Sequence, residues 1–414
     1  HKEYRRQRQM CIRDSNDVPA GTFDTDQDGI PDSAEVQGGT FAGLDLYAMG
    51  ARTGVKDLFL EIDQMQKLPL QAGLVVQKAA LQKVVQAFAR QNIRVRFDVG
   101  DFFNPDFSVE DFNLGQTDSR VPYEPCVALD QVTCSQNLSD RRSIYDWKNQ
   151  YMDLRRRVIF HYVLFANSQF ADGRCGSSGL GELIGNDFIV TLGSCPLSVS
   201  TPVGLNLTIN VQAATVMHEL GHNLGLRHGG FEEVNYKPNY WSVMNYLYSL
   251  NGLDPDAPSA TAYLRWKIEK ENKQSDSSVC SLPASSCDDP SDFVIDYSDG
   301  SGAPLDEAAL LESDNLGRGS VQGAYADWNL NGVLDTTAIS IELNEVNGVP
   351  MPTLSILRDY NDWGNLVFPF TRYSTANQGT SVVRPMVQGV INPIVQDRQP
   401  IAIEDPKRFK LFTR

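Results

Sequence analysis

Three of the chain's five histidines fall inside the eleven-residue string His218-Glu219-Leu220-Gly221-His222-Asn223-Leu224-Gly225-Leu226-Arg227-His228. On an α-helix, residues four apart share one face, so His218 and His222 project to the same side and can grip one cation. Glu219 follows the first of them and can reach a water molecule in the cation's open position. His228 cannot join from the same straight helix. Ten residues on, it would stand ~15 Å along the axis and about 80° round. The chain must therefore stop its helix and turn back, and Gly225 permits a left-handed stop. Three neutral imidazoles around one open position suit tetrahedral zinc.

The flanking patterns indicate where such a helix sits. Residues 57–63 alternate apolar and polar side chains, as a half-buried strand does. Over residues 74–91, Leu74, Ala79, Val84, Val85 and Phe88 recur at helical spacing. Residues 93–99 form the next strand, closed by Gly100, so strand, helix and strand suggest a right-handed crossover. Residues 101–142 are loop-like, and a short helix is expected over 143–156. Strands are expected at 158–165 and 186–192, with the motif helix from about 210 to 225. A long polar stretch to about residue 349 follows, and the last 48 residues, from Val367, have turns and short apolar pieces without a placeable pattern.

The 41% hydrophobic content excludes a wholly disordered chain. Lys and Arg number 36 against 52 Asp and Glu, for a net charge of −16. Such a chain repels nucleic-acid backbones and anionic membranes. No run approaches the ~18 apolar residues of a membrane span.

The first fifteen residues are basic and precede an acidic chain. The string Met10-Cys11-Ile12-Arg13-Asp14-Ser15 can be encoded by ATG TGT ATA AGA GAC AGC, which looks like a translated transposon end from sequencing-library preparation. Residues 1–15 are therefore expected to be a scar and are set aside; a genuine basic tail is the alternative. Without their five basic and two acidic side chains the net charge moves from −16 to −19, and six of seven cysteines remain.

The motif resembles the signature of the metzincin zinc endopeptidases, H-E-x-x-H-x-x-G-x-x-H followed by a Met-turn. Ser242-Val243-Met244-Asn245-Tyr246 is similar to that turn, with Met244 sixteen residues after His228. The resemblance implies that Met244 forms an apolar floor beneath the metal. It also implies that Tyr246 stands where astacin-like and serralysin-like members carry a tyrosine that binds the metal or steadies the oxyanion; a buried structural tyrosine is the alternative. The chain is similar to the pappalysin-like and bacterial secreted branches, although Gly229 after the third histidine fits none of the better-known subfamilies. The implied fold is α/β (α+β): a twisted, mostly parallel sheet with a backing helix and an active-site helix above a loop-rich lower subdomain. The implied substrate lies extended along an edge strand, for which 186–192 is the candidate.

Two acidic loops suggest calcium. Asp24, Asp26, Asp28, Gly29, Ile30, Asp32 and Glu35 fit positions one, three, five, six, seven, nine and twelve of the twelve-residue calcium loop. The loop resembles a thrombospondin type 3 or EF-hand-like repeat. A second candidate, Asp327, Asn329, Asn331 and Asp335, repeats the first half but has Ala338 where the bidentate acid belongs. Asp359, Asn361 and Asp362 could complete it by folding back. Cys126, Cys134, Cys175, Cys195, Cys280 and Cys287 allow fifteen connectivities. Neighbour pairing (126 with 134, 175 with 195, 280 with 287) is expected and would point to export; buried free thiols are the alternative.

The expected organisation is a calcium loop at 16–40, a catalytic domain at 41–366 with an insertion at about 250–349, and an extension at 367–414. The expected protein is a secreted monomeric zinc endopeptidase, stabilised by calcium and acting on protein or peptide substrates. Glu219 would take a proton from water and deliver it to the leaving amine. A calcium-dependent adhesion module on a peptidase fold and a zinc amidase acting on cell-wall peptides are the rivals. The intact Glu219 argues against the first.

Overall fold

The alternation in the first strand sets the architecture. In the computed structural model, residues 23–66, 69–116, 118–129, 134, 143–253, 258–270, 285–313, 316–318, 321–346, 349–350, 353–368, 372–373 and 382–383 are described. The chain runs through β1 (Lys56–Gln66), α1 (Lys78–Ala89), β2 (Ile93–Asp98), β3 (Arg120–Pro122) and α2 (Ile144–Tyr151). It continues through β4 (Phe160–Phe165), β5 (Gly179–Gly181), β6 (Asp187–Val190) and the long helix α3 (Pro202–Asn223). Strand order is β2-β1-β4-β6-β5, with β3 pairing the last residues of β1. Only β5 runs antiparallel to its neighbour among these pairings. The fold is mixed α/β with a mostly parallel sheet.

Successive side chains of a strand point to opposite faces. Leu58, Leu60 and Ile62 of β1 join Val163, Phe165, Phe188 and Val190 in a core shared with α1 and α3. Phe59 and Met65 point the other way, with Phe160, Tyr162, Leu164 and Ile189, against apolar residues from segments 30–51 and 114–152. Both faces are thus covered, as is usual for a parallel sheet. This corrects the expectation of a half-buried strand: β1 is buried from Asp57 through Met65.

Its polar side chains are accommodated by specific partners. Asp57 accepts from Arg52 N at 3.0 Å and Arg96 Nε at 3.2 Å. Asp63 accepts from Tyr162 Oη and Gln116 Nε2, both at 2.6 Å. Arg156 donates to Glu61 at 2.7 Å, to Asp98 at 2.6 Å and to the Leu114 carbonyl at 2.8 Å. Burial still pushes Glu61 up to about 8 against the opposing pull of Arg156.

The motif helix begins eight residues before the expected position. Thr201 caps it, its side chain accepting from Gly204 N at 3.1 Å, and Pro202 opens the first turn. Gly204 and Asn206 are weak helix formers, so the first two turns carry little local helix signal. Every residue from Thr208 to Gly221 is buried, so α3 is covered on all sides.

The sheet and α1 cover one side, and the chain beyond His228 covers the other. Tyr297 Oη donates to the Met217 carbonyl at 2.6 Å, and Trp363 packs against Phe88 with ring centroids 5.1 Å apart. The polar stretch at 250–349 contains a helix, α4 (Pro258–Lys270), that its pattern did not reveal. Trp266 of α4 meets Trp328 edge-on at 4.9 Å within a separate apolar cluster that includes Trp241, Leu305 and Leu343. Asp362 accepts from Tyr240 Oη at 2.9 Å and Ser298 N at 3.0 Å, and Asp359 accepts from Ser298 Oγ at 2.7 Å. These two acids therefore secure the floor below α3 and do not complete the loop at 327–335.

Cys126 is bonded to Cys134 and Cys175 to Cys195, as neighbour pairing predicts. Cys287 is also disulfide-bonded, while Cys280 lies outside the described residues. Residues 1–15, including Cys11, lie outside them too, as does most of 367–414.

Candidate metal centre and active site

His218 and His222 sit one turn apart near the end of α3, and the chain then reverses as the spacing requires. Gly225 adopts φ +94°, the left-handed conformation that favours glycine. Its N–H returns to the His222 carbonyl at 3.0 Å, and Leu226 N returns to the Gly221 carbonyl at 2.8 Å. The reversal brings His228 back beneath the helix, where one ring nitrogen from each of the three histidines lies within 4.8 Å of the others.

The other ring nitrogens are all held by acceptors. His218 Nδ1 lies 2.8 Å from the Val243 carbonyl, and His222 Nδ1 lies 2.7 Å from the Leu226 carbonyl. His228 Nδ1 lies 3.3 Å from Glu233 Oε2. An acceptor at Nδ1 fixes the tautomer that carries its proton there and leaves Nε2 as the basic, ligating atom. His218 Nε2 and His222 Nε2 approach to 3.2 Å, and His228 Nε2 is buried with no hydrogen-bond partner. A buried imidazole nitrogen without a partner is costly, and a cation at this point would satisfy it. The donor set fits zinc.

Glu233 was not singled out from the sequence. Burial alone would raise its carboxyl, but hydrogen bonds from His228 and Arg227 outweigh that and hold it at about 2. Its ionised form is the better acceptor for His228. An acid five residues past the third histidine, in a polar turn, leaves no periodic signal.

Met244 is fully buried. A β-carbon added at Gly221, between the two helical histidines, would collide with Met244 Sδ. The sulfur thus packs directly under the helix. Tyr246 stands beside the triad, its ring centroid 4.5 Å from that of His228 and 6.0 Å from that of His218.

Glu219 is buried and faces β5. A β-carbon at Gly179 would lie 2.6 Å from Glu219 Oε1 and 2.7 Å from its Cγ, and one at Gly181 would lie 3.2 Å from Oε2. The edge strand expected at 186–192 is corrected here. β6 lies between β4 and β5, and β5 ends the sheet on that side. Three residues with glycine at both ends carry no alternation by which to recognise a strand.

The acidic loop places Asp24, Asp26 and Asp28 together, and Asp28 again with Glu35 and Asp57. Asp32 lies outside both groups and accepts from Thr25 N at 2.8 Å and Thr25 Oγ1 at 2.7 Å. Ile30 N donates to Asp28 at 2.7 Å. In the second loop, Asp327 accepts from Asn331 N at 3.1 Å and Gly332 N at 2.7 Å. The side-chain amides of Asn329 and Asn331 donate to Asp335. Buried Glu312 accepts from Trp328 N at 3.0 Å and Asp335 N at 2.9 Å.

Residues 127–229 match the family model described as metallo-peptidase family M12B, reprolysin-like. The matched span runs from α2 through β4, β5, β6 and α3 to the residue after His228. No curated protein matches the chain. No helix among the described residues is long and apolar enough to cross a membrane. The similarity over 127–229 and the converging histidines together support a metallopeptidase, a hydrolase acting on protein or peptide substrates.

Proposed function

We propose that the chain is an exported, zinc-dependent endopeptidase. The observation that carries this reading is the tautomer control at the triad, with three Nδ1 atoms held by acceptors and His228 Nε2 buried without a hydrogen-bond partner. His218, His222 and His228 would hold the ion. Zinc bound there supplies Lewis-acid chemistry that polarises a carbonyl and makes water acidic enough to attack near neutral pH. Glu219, next to the first ligand, takes the proton from the attacking water and passes it to the leaving nitrogen. Tyr246 offers its hydroxyl to the oxyanion. An extended substrate adds along β5, whose backbone passes over Glu219. The disulfides Cys126–Cys134 and Cys175–Cys195, with bonded Cys287, support an oxidising compartment. In this reading the protein works as a monomer, and calcium is structural, held by the loops at 24–35 and 327–335.

Metal analysis of natively purified protein, with casein or gelatin as substrate, tests the reading. About one zinc per chain is expected, with cleavage abolished by chelation and restored by zinc. A zinc-free active protein, or one that cleaves only peptidoglycan stem peptides, would reject it.

Gly179→Ala gives a sharper expectation. The new methyl group would lie 2.6 Å from Glu219 Oε1 and 2.8 Å from the Ile189 carbonyl oxygen of β6, so β5 and the carboxylate must move apart, and misplacing a catalytic group by about 1 Å can cost ~10²-fold in rate. The variant should lose kcat on that scale while keeping its zinc. Unchanged kcat would dissociate the β5–Glu219 contact from catalysis.

A further inference from the structure

The acidic loop does not close on itself. Asp26 Oδ2 accepts from Gly54 N at 2.8 Å, Asp28 Oδ2 accepts from Asp57 N at 2.7 Å, and Lys56 Nζ donates to the Gln27 carbonyl at 3.2 Å. The loop is thereby laid against the entry to β1, and Ile30 and Ala34 lie in the apolar cluster on that face of the sheet. Asp57, the second residue of β1, brings its carboxylate within 4.8 Å of those of Asp28 and Glu35.

All three carboxylates are buried, and Glu35 is only 1% exposed. Neither Glu35 oxygen has a hydrogen-bond partner. The Asp28 oxygens accept the amides of Ile30 and Asp57, and Arg96 offsets the charge of Asp57. Three buried acids outnumber the guanidinium groups of Arg96 and Arg94 that act on Asp57, which leaves an excess of negative charge in a place that water does not reach, and such groups require a cation or a proton. Calcium takes six to eight hard oxygens and accepts irregular geometry, whereas zinc favours nitrogen and sulfur.

We propose that Asp57 completes a calcium site with Asp28 and Glu35, so that one bound cation joins the acidic loop to the central strand of the sheet. The inference rests on the assignment of calcium to the loop, and it replaces Asp32 by a ligand 22 residues beyond Glu35. The cation acts as a clasp. Its loss unpins the 23–35 segment from β1 and uncovers one face of the sheet, while the histidine triad, on α3 and the turn after it, keeps its own ligands.

The test is a titration with calcium chloride of the full chain, stripped of divalent ions over chelating resin and reloaded with one equivalent of zinc. Bound calcium is measured by equilibrium dialysis and Tm by thermal unfolding. Calcium should raise the wild-type Tm by several degrees. Asp57→Asn and Glu35→Gln should each weaken calcium binding by about tenfold or more, since affinity follows the number of charged ligands. Without calcium, Glu35→Gln should be at least as stable as wild type, because the amide replaces a buried carboxyl whose two oxygens have no hydrogen bond to lose. The order of Tm values should reverse when calcium is added. Should Asp57→Asn fail to fold, Glu35→Gln decides the matter alone. If wild type binds no calcium, the loop assignment and the proposal both fall. If wild type binds calcium and both variants bind it equally well, the loop assignment survives and the shared site is overturned.

Discussion

Replacing Glu219 by Gln should lower kcat for casein-derived peptides roughly 10³-fold, within the range that a positioned general acid–base contributes. The amide keeps the shape of a side chain that is buried between α3 and the glycines of β5, so packing is preserved. It cannot take up a proton from water. Zinc content should stay at the wild-type level, because the Val243 and Leu226 carbonyls and the Glu233 carboxylate hold the Nδ1 atoms of the three histidines in place. Rate and metal content measured on the same preparation separate a lost base from a lost metal. Retained activity in Glu219→Gln would remove the proposed mechanism, whatever the zinc content.

The second large effect is expected far from the triad. Arg156→Met should destabilise the fold by ~3–5 kcal/mol, the usual cost of stranding the partners of a buried ion pair. Arg156 is 5% exposed and neutralises Glu61 on β1 and Asp98 at the end of β2, so the variant leaves two carboxylates inside the sheet's second face. Burial already pushes Glu61 up to about 8 with Arg156 in place. A folded-state value above the unfolded one, ~4.3 for glutamate, means stability is lost as pH rises between the two. Removing Arg156 pushes Glu61 higher still, so the deficit in urea unfolding should be larger at pH 8 than at pH 5. Adding Glu61→Gln to Arg156→Met should recover part of it. A variant within about 1 kcal/mol of wild type at both pH values would show that this ion-pair network is not what holds β1 and β2 together.

Both predictions concern β1 or the motif helix, and the two were legible in the sequence to different degrees. Alternation located β1 but misjudged its second face, because a strand covered by distant segments looks like one that meets water when its outward side chains are acids. Asp57, Glu61 and Asp63 are such acids, and the arginines, tyrosine and glutamine that accommodate them lie 39 to 99 positions from them in the chain. The start of α3 was hidden for a local reason: Gly204 and Asn206 are weak helix formers, and the Thr201–Pro202 cap outweighed them. Helix α4 escaped notice because its apolar face serves a cluster assembled from Trp241, Trp328 and Leu343, which no window of sequence spans.

The candidate metal ligands, the candidate base and the helix break are determined by the sequence alone, because helical geometry relates residues three to ten positions apart without help from the rest of the chain. Neighbour pairing of Cys126 with Cys134 and Cys175 with Cys195 belongs with them, since both close short loops. Tertiary structure decided which atoms hold the histidines in their ligating tautomer, which strand forms the edge beside Glu219, and which acid joins Asp28 and Glu35. The Val243 carbonyl, Gly179 and Asp57 reach their places only when the sheet, α3 and the floor pack together. Their roles follow from contacts between segments, and nothing in the sequence around each residue marks it for that contact.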